Sequence, residues 1–425
     1  MDAIRLLALV SLALLTFSCA QNKTSSSVFP GTQGLSAGCQ QQALQNRFIV
    51  QWEDGTFSIE TDEESADHFR QHFVTKNLQK IKHVDHDFQI QLRSLQTAAA
   101  LDTSNPQPSA SDNWGQQVIG AKALWDQNFH GQDILVGVVD GMVDVNHNQL
   151  QNNIYINPNE IPDNGIDDDN NGFIDDYKGI KLTKEVNDPM VNIHGSHVAG
   201  IIAADPSQGG PIHGVADQAK IIPAQFIGNN EGGNIADAII GIQYVIKQGA
   251  KIINLSWGAT TCNSIPNLQD VLAKASSQGV LIVTAAGNGD NYGVGLNNDI
   301  YPSYPSAYNL PTQINVAAST QNDYLTSFSN FGTKTVQVAA PGKDILSTTP
   351  GNTLTTLSGT SMAAPMVSGA AALLWGAVPQ ATASQIRQAL LSSVDVIAGH
   401  PMEVSTRGRI DVARAYEQLK KLVGP

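Results

Sequence analysis

Short apolar runs alternate with segments of helical periodicity along most of the chain beyond residue 130. The run from Ile134 to Val139 is apolar throughout, which predicts a strand buried on both faces. Later patterns predict strands at 220–226, 252–256, 280–284 and 335–339, and helices at 234–248, at 268–277, from 382 and from 411. Such alternation predicts an α/β fold, in which a mostly parallel sheet carries helices on both faces.

A smaller α+β unit is predicted before this domain, at residues 43–96. Its pattern predicts, in order, a strand at 48–52, a helix opening at the capping box Thr61-x-x-Glu64, and a strand through Phe88, Ile90 and Leu92. About fifty residues bury little surface on their own. A small accessory domain that stays attached to the larger one is one interpretation of this unit.

The first twenty residues have the pattern of a secretory signal. Arg5 precedes a run of mostly apolar residues that is too short to span a bilayer, so we expect export. Cleavage after Ala20 would release a soluble protein. Leu15–Cys19 instead resembles a bacterial lipoprotein box, and we favour this alternative, which places a lipid anchor at Cys19. The expected location is outside the cell, either secreted or lipid-anchored on the cell envelope, with residues 21–42 as a flexible tether.

Composition and cysteine content narrow the class of protein. With 425 residues, 41% hydrophobic and 15% charged, the chain has the composition of a globular protein. A net charge of −14 argues against nucleic acid as a partner. Apart from Cys19, only Cys39 and Cys262 are present. They form either a disulfide or two buried free thiols, and we favour the thiols.

Three polar residues lie at positions where functional side chains are expected. Asp140 follows the first strand, at the carboxyl edge where parallel sheets place their sites. Ser361 starts an apolar helix whose free N–H groups favour developing negative charge, after a sharp turn expected at Gly359. His194 opens another small-residue turn before an apolar helix. A nucleophilic serine needs a base that takes its proton and a third group that orients the base.

With these residues in the order Asp140, His194 and Ser361, and with Thr284-Ala285-Ala286-Gly287-Asn288 between the last two, the chain resembles the subtilisin-like serine proteases. The resemblance covers residues 114–422 and implies the three-layer fold of that family. It implies that Asp140 orients the imidazole, that His194 is the general base and then acid, and that Ser361 is the nucleophile. It also implies an oxyanion hole made by the Asn288 amide and the Ser361 N–H.

Several positions depart from the family pattern, but no reacting group is lost. Gly141-Met142 follows Asp140 where Thr-Gly is commoner, Ser196 replaces a usual threonine, and Met366 replaces a usual histidine. His197 is expected to pack in the core. A His194-x-x-His197 metal pair is the rival interpretation, but no other Cys or His stands nearby to complete a zinc site.

Substrate contacts and regulation are also implied by the resemblance. Glu231-Gly232-Gly233 and Ser256-Trp257-Gly258 match the segments that flank an extended peptide substrate. Trp257 stands where a smaller aliphatic residue is commoner, so it either reshapes an apolar subsite or packs at the core edge. The unit at 43–96 corresponds to a propeptide that inhibits the enzyme until it is cut. The maturation cut is expected in the linker at 97–113 or at its upstream edge.

The leading hypothesis is therefore an exported, propeptide-activated serine endopeptidase without an organic cofactor, acting on protein or peptide substrates. A catalytically silent binding protein on the same fold is the alternative, which the intact set of polar residues disfavours. An esterase is disfavoured because the glycine two places after the nucleophile is absent and the acid and histidine occur in the wrong order.

An acidic insertion at 157–180 separates the first strand from the His194 segment. Asp167, Asp169, Asn171 and Asp175 reproduce the first part of a calcium-binding loop, so a structural calcium ion is expected. Lys178 occupies the position of the closing acidic ligand. Asp163, Asp176 or water would then complete the site, and a solvated acidic loop without metal is the alternative.

Overall fold

The N-terminal unit consists of an antiparallel sheet and a short helical segment. Its elements are β1 (Ala43–Trp52), β2 (Phe57–Thr61), α1 (Ala66–Phe69), a π-helical turn (Arg70–Val74), α2 (Thr75–Asn77), β3 (Ile81–Ile90) and, further on, the short strand β4 (Gln96–Thr97). Strand β1 lies between β2 and β3 and pairs antiparallel with both. The rings of Phe48 and Phe69 stack at 4.1 Å and join the helical segment to the sheet.

Two details of this unit differ from the sequence prediction. Strand β2 was not predicted, because its residues are nearly all half-buried and show no clear alternation. The helix starts after Ser65, whose hydroxyl accepts a hydrogen bond from the N–H of His68 at 3.0 Å. The capping box at Thr61 is therefore wrong, since Asp62 turns the chain first by accepting from the N–H groups of Glu64 and Ser65.

The computed structural model describes most of the chain. It covers Val28 and residues 43–90, 96–97, 113–183, 189–228, 232–260, 264–290, 292–399 and 401–424. The predicted signal segment and all three cysteines lie outside these residues, as do the tether except Val28 and the linker except its two end residues. Within the described ranges, no helix is long and apolar enough to cross a membrane.

The larger domain is built around a seven-stranded sheet in which every strand pair is parallel. The strands of this domain are β5 (Leu135–Asp140), β6 (Ile180–Lys181), β7 (Lys220–Gln225), β8 (Gly233–Asn234), β9 (Ile252–Leu255), β10 (Ala259–Thr260), β11 (Leu281–Ala285), β12 (Ser303–Tyr304), β13 (Gln313–Ser319), β14 (Val338–Pro341), β15 (Ile345–Thr349) and β16 (Thr353–Ser358). The sheet order is β14-β13-β11-β9-β5-β7-β6.

Helices cover both faces of this sheet. They are α3 (Trp114–Val118), α4 (Lys122–Trp125), α5 (Pro189–Ala203), α6 (Ile235–Lys247), α7 (Pro266–Ser277), α8 (Thr360–Ala377), α9 (Ala383–Ser392) and α10 (Val412–Val423). On β5, Val136 and Val138 belong to the core that includes α5 and α8, whereas Val139 belongs to the core that includes α6 and α7. The predicted α/β fold with helices on both faces is confirmed.

Two short pairings join the N-terminal unit to the larger domain. The end of β3 pairs antiparallel with β8, with Ile90 opposite Gly233. Strand β4 pairs antiparallel with β16, with Gln96 opposite Ser358. The chain therefore pairs with two separate segments of the larger domain, one that precedes α6 and one that precedes α8.

Candidate functional site

Asp140 is the last residue of β5, and its side chain is fully buried. One carboxylate oxygen, Oδ1, accepts a hydrogen bond from the N–H of Gly141 at 2.6 Å. The same oxygen lies 2.5 Å from Nδ1 of His194. Because an apolar strand ends here, the carboxylate is held at the carboxyl edge of the sheet and directed at one imidazole nitrogen.

His194 lies in the second turn of α5, since that helix begins at Pro189 rather than at the predicted turn. The helix approaches the turn after β5 very closely: a Cβ atom at Gly195 would lie 2.3 Å from the carbonyl oxygen of Gly141. Only glycine permits that approach. The second imidazole nitrogen, Nε2, is buried and has no hydrogen-bond partner among the described residues. It is therefore available to a further group.

His197, one turn later, is fully buried and has a structural role. Its Nε2–H group donates to the carbonyls of Ile345 and Thr355, each at 3.0 Å. Burial lowers the pKa of His197 to about 3, so the ring is neutral. His194 and His197 face different partners, which supports the packing role over the rival His-x-x-His metal pair.

Ser361 is the second residue of α8, where its N–H has no intrahelical acceptor. Its hydroxyl donates to the carbonyl of Ser256 at 2.8 Å, and the hydroxyl of Ser256 donates to the carbonyl of Ser361 at 2.9 Å. A bond from Ser361 to His194 is not among the hydrogen bonds of the described residues. In this conformer the predicted nucleophile is held by Ser256 and must rotate to meet an imidazole.

The turn before Ser361 differs from the expectation in its backbone. Gly359 has φ 170°, an extended conformation open to any residue, so a sharp turn does not explain the glycine. Thr360 makes the side-chain contacts that organise the turn. It was not predicted as a site residue. Its hydroxyl donates to Oδ1 of Asn288 at 2.8 Å and accepts from the N–H of Gly287 at 3.1 Å.

Asn288 follows β11 and is oriented through its amide oxygen. Oδ1 accepts from both the N–H and the hydroxyl of Thr360 at 2.8 Å, so the amide nitrogen is directed away from that contact. Gly287 has φ 113°, and a Cβ atom there would lie 2.5 Å from Nδ2 of Asn330. Glycine is thus required before Asn288 both by conformation and by space.

The predicted substrate segments lie beyond the carboxyl ends of β7 and β9. Gly233 pairs with Ile90, so an extended segment does bind along this backbone. Gly232, at φ 78°, precedes it, whereas Glu231 lies outside the described residues. The indole of Trp257 is buried and donates to the carbonyl of Val139 at 2.8 Å, which agrees with packing at the core edge. A Cβ atom at Gly258 would lie 2.9 Å from the hydroxyl of Ser303.

The acidic insertion brings together a different set of side chains from the one predicted. Of Asp167, Asp169 and Asp175, only Asp169 joins a cluster of possible carboxylate ligands, and the amide of Asn171 donates to Asp176 at 2.9 Å. Glu160 completes that cluster together with Asp176, which was expected as one of the groups that could close the site. Sequence reasoning missed Glu160, because this residue precedes the loop motif. Glutamate is rarely buried, so the burial of Glu160 in this polar segment marks it as a candidate ligand.

Comparisons with known proteins show which family the chain belongs to. The Subtilase family model (Peptidase_S8) matches residues 131–418. The chain is 38% identical over 261 residues to the major intracellular serine protease of Bacillus subtilis (strain 168), covering 61% of this chain and 74% of that protein. It is 34% identical over 320 residues to thermitase of Thermoactinomyces vulgaris, covering 74% of this chain and 99% of thermitase.

A solved structure of the prenylagaramide maturation protease PagA is also similar. It superposes with a TM-score of 0.56 at 26% identity, over 71% of this chain and 98% of that one. The family match spans well over half of the chain, and the matched segment contains the buried Asp140–His194 pair and the helix that begins beside Ser361. The chain therefore belongs to the subtilase family and is a subtilisin-like serine endopeptidase.

Proposed function

We propose that this protein hydrolyses peptide bonds with Asp140, His194 and Ser361 as its catalytic triad. Ser361 Oγ attacks the substrate carbonyl while Nε2 of His194 takes the hydroxyl proton, and Asp140 holds Nδ1–H and stabilises the imidazolium. His194 then gives the proton to the leaving amine, which leaves an acyl-enzyme on Ser361. Water, deprotonated by the same nitrogen, releases the acid product.

The negative charge of the tetrahedral intermediate needs donors that are already in position. The N–H of Ser361, in the first turn of α8, and the amide nitrogen of Asn288 are suited to this role. Asn288 Oδ1 is occupied by Thr360, so the NH₂ group is the end of the side chain that remains for the substrate oxygen. Thr360 acts here as a positioning residue.

The single observation that carries this proposal is the 2.5 Å contact between Asp140 and His194, with Nε2 of His194 left free. Labelling with a serine-reactive phosphonate, followed by peptide mapping, tests it. Ser361 should be the labelled residue, and Ser361→Ala should take up no label. Ser368→Ala is the matched control, because Ser368 is a buried serine on the same helix whose hydroxyl donates to Asn254. A parent that takes up no label would favour the silent binding protein, and labelling that survives in Ser361→Ala would assign the nucleophile to another residue.

We also propose that the N-terminal unit inhibits the enzyme until it is cut. Two buried aspartates support its docking: Asp85 accepts from the N–H of Asn267 at the start of α7, and Asp87 accepts from the N–H of Ala236 at the start of α6. Each carboxyl oxygen thus satisfies an N–H group that the start of a helix leaves without an intrahelical acceptor. Docked there, the unit covers the β8 edge that an extended substrate would use.

The maturation cut is proposed between Ile90 and Gln96. Ile90 pairs with β8 and Gln96 pairs with β16, the strand that leads through Ser358 towards Ser361. These pairings fix the residues on either side of the proposed cut to strands that precede α6 and α8. This favours the upstream edge of the predicted linker over its middle.

Export is proposed from the first twenty residues alone. Their pattern supports secretion, and Cys19 supports a lipid anchor on the cell envelope. The acidic net charge of −14 accords with a protein that stays soluble in such a setting without nucleic-acid partners.

A further inference from the structure

Two histidines and one aspartate converge in loops that contain no member of the proposed triad. Nδ1 of His130 lies 2.7 Å from Oδ1 of Asp217, and Nε2 of His213 lies 2.9 Å from Oδ2 of the same side chain. A nitrogen of each ring and a carboxylate oxygen all lie within 4.8 Å of one another. His130 belongs to the loop before β5, whereas His213 and Asp217 belong to the loop between α5 and β7. Ligand-type side chains from two loops therefore meet at one point.

The carboxylate at the centre of this group is buried. Only 8% of the Asp217 side chain is exposed, and burial of a carboxylate is costly unless a positive charge accompanies it. In the described part of the chain, its ion-pair partners are His130 and His213 alone, and a neutral imidazole carries no charge. A bound metal ion would supply a permanent positive charge to this carboxylate.

The two loops are fixed to each other by contacts that do not use the ring nitrogens. The N–H of Gln218 donates to the carbonyl of His130 at 3.0 Å. Gly131 has φ 74°, and a Cβ atom there would lie 2.8 Å from Cβ of Ala216, so glycine permits the close approach of the loops. The ligand-type side chains are therefore brought together by the fold itself.

Trp125 orients the ring of His213. Its indole stacks on the imidazole with ring centres 3.6 Å apart and 14° between the planes, and its Nε1–H donates to the carbonyl of Val215 at 3.0 Å. This stacking fixes the plane in which Nε2 of His213 points towards the carboxylate. Side chains that are held in this way before a ligand binds give a more precise site.

We propose that His130, His213 and Asp217 bind a structural zinc ion. Two imidazole nitrogens and one carboxylate oxygen are ligands that zinc takes, and water completes a four-coordinate site. Calcium and magnesium prefer oxygen ligands.

The present distances are close to those that a zinc ion requires. In a tetrahedral site with bonds of about 2.0–2.2 Å, neighbouring ligand atoms are about 3.4 Å apart, which exceeds the two nitrogen–oxygen distances by about 0.5–0.7 Å. The side chains of His130 and His213 are 20% and 25% exposed, so both rings have room for that shift and the ion has a path from solvent.

Zinc needs the lone pair of each nitrogen that now faces Asp217. The proton of a neutral ring then lies on the other nitrogen, which is Nε2 in His130 and Nδ1 in His213. Within the described ranges, neither of these nitrogens makes a hydrogen bond. No competing contact therefore fixes the opposite tautomer.

The site lies beside the start of the larger domain. The N–H of His213 donates to Oδ1 of Asn113 at 3.0 Å, and the amide of Gln116 donates to the carbonyl of His213 at 2.9 Å. Asn113 ends the predicted linker and Gln116 follows it. A zinc ion would therefore fix the loop that holds the first residues of the larger domain.

Calorimetric titration of zinc into the chelator-treated, tag-free Ser361→Ala full chain tests the proposal without self-digestion. Excess calcium is present so that sites made of oxygen ligands alone are occupied. Asp217→Asn, His130→Asn and His213→Gln should each weaken zinc binding at least about tenfold. The amide group in the two histidine variants can still donate a hydrogen bond to Asp217, but it offers no imidazole nitrogen to the metal ion.

Asp133→Asn is the matched control. Asp133 is exposed in the same loop as His130 and lies outside the cluster, and its φ of 61° is a conformation that asparagine tolerates. Its affinity for zinc should stay within about twofold of the parent value.

Thermal unfolding gives a second measurement that does not depend on activity. Zinc should raise the Tm of the parent and of Asp133→Asn by several degrees, and that of His130→Asn much less. Without zinc, His130→Asn should unfold close to the parent, because a donor to Asp217 is retained. A parent that binds no zinc in excess calcium, equal affinities in the parent and His130→Asn, or equal weakening by Asp133→Asn would each overturn the assignment.

Discussion

Ser256 and Ser361 exchange two hydrogen bonds, each hydroxyl donating to the carbonyl of the other residue at 2.9 and 2.8 Å. Pro365 gives this exchange a physical reason. Proline has no N–H, so the carbonyl four residues earlier in α8, that of Ser361, lacks its helical partner. The hydroxyl of Ser256 takes the place of the missing donor and anchors the start of α8 to the end of β9.

Removal of the Ser256 hydroxyl should therefore destabilise the protein. In a Ser361→Ala background, which keeps the backbone carbonyl at position 361, Ser256→Ala should lower the free energy of unfolding by about 1–3 kcal/mol, the cost of a buried unsatisfied group. Urea unfolding measures this. Ser392→Ala, which removes an exposed hydroxyl bonded within its own helix, should change it by less than about 0.5 kcal/mol. Equal losses in the two variants would contradict the role given to Ser256.

Self-cleavage should depend on Ser361. Ser361→Ala should remain full-length, whereas Ser368→Ala should mature like the parent. N-terminal sequencing of the mature parent should find a first residue between 91 and 96, because Ile90 pairs with β8 and Gln96 pairs with β16, the strand that leads towards Ser361. A cut Ser361→Ala chain in a pure preparation would show that another protease performs maturation. A first residue near Trp114 would move the final cut into the linker.

Membrane attachment should depend on Cys19 if the lipoprotein alternative is right. Cys19→Ser should move the precursor from the membrane fraction to the soluble fraction, since it removes the only acceptor for a lipid in the signal segment. Cys39→Ser is the matched control and should leave the distribution unchanged. Both forms in the soluble fraction would favour simple cleavage after Ala20.

The sequence predicted those parts of the site that local patterns encode. Asp140 was predicted as a site residue because an apolar strand ends beside it. Ser361 was predicted as one because an apolar helix begins there. The partner of the Ser361 hydroxyl was not predictable in this way, because Ser256 lies 105 residues earlier and only the packing of α8 against β9 brings them together.

The acidic insertion shows the same limit. The spacing of Asp167, Asp169 and Asn171 was recognised as a loop motif, but a motif does not reveal which carboxylates are buried. Glu160 reaches Asp169 because its own oxygen bonds to the N–H groups of Asp168 and Asp169, which folds the segment back on itself. Such a contact follows from tertiary structure, not from spacing.

The Asn288 amide should contribute to catalysis and not to substrate binding. Asn288→Asp keeps Oδ1 as the acceptor for Thr360 but replaces the NH₂ donor with a negative oxygen. We expect kcat to fall on the order of 10²–10³-fold with little change in KM, the range known for the corresponding asparagine of subtilisin. Steady-state hydrolysis of a peptide anilide measures both constants. Thr360→Ser, which retains the hydroxyl, should stay near the parent, and a loss confined to KM would argue against an oxyanion role.

Docking of the N-terminal unit should weaken as the pH rises. Burial raises the pKa of Asp85 to about 7 and that of Asp87 to about 6, from 3.8 in both cases. Each carboxyl thus binds its proton more tightly when docked than when free in solvent. Below about pH 4 both carboxyls are protonated in the docked and the free state, so ionisation does not weaken docking. The free energy of docking becomes less favourable as the pH rises towards 7 and changes little above that.

Co-elution of the cleaved N-terminal unit with the larger domain, measured from pH 5 to pH 8, tests this dependence. The retained fraction should be largest at pH 5. Asp85→Asn should flatten the upper part of the curve, because a neutral amide replaces the group that titrates highest. Asp67→Asn is the matched control, since the Asp67 carboxylate is exposed and pairs with Arg70 within the unit itself. Retention that increases with pH would mean that the helix N-termini stabilise both carboxylates more than burial penalises them.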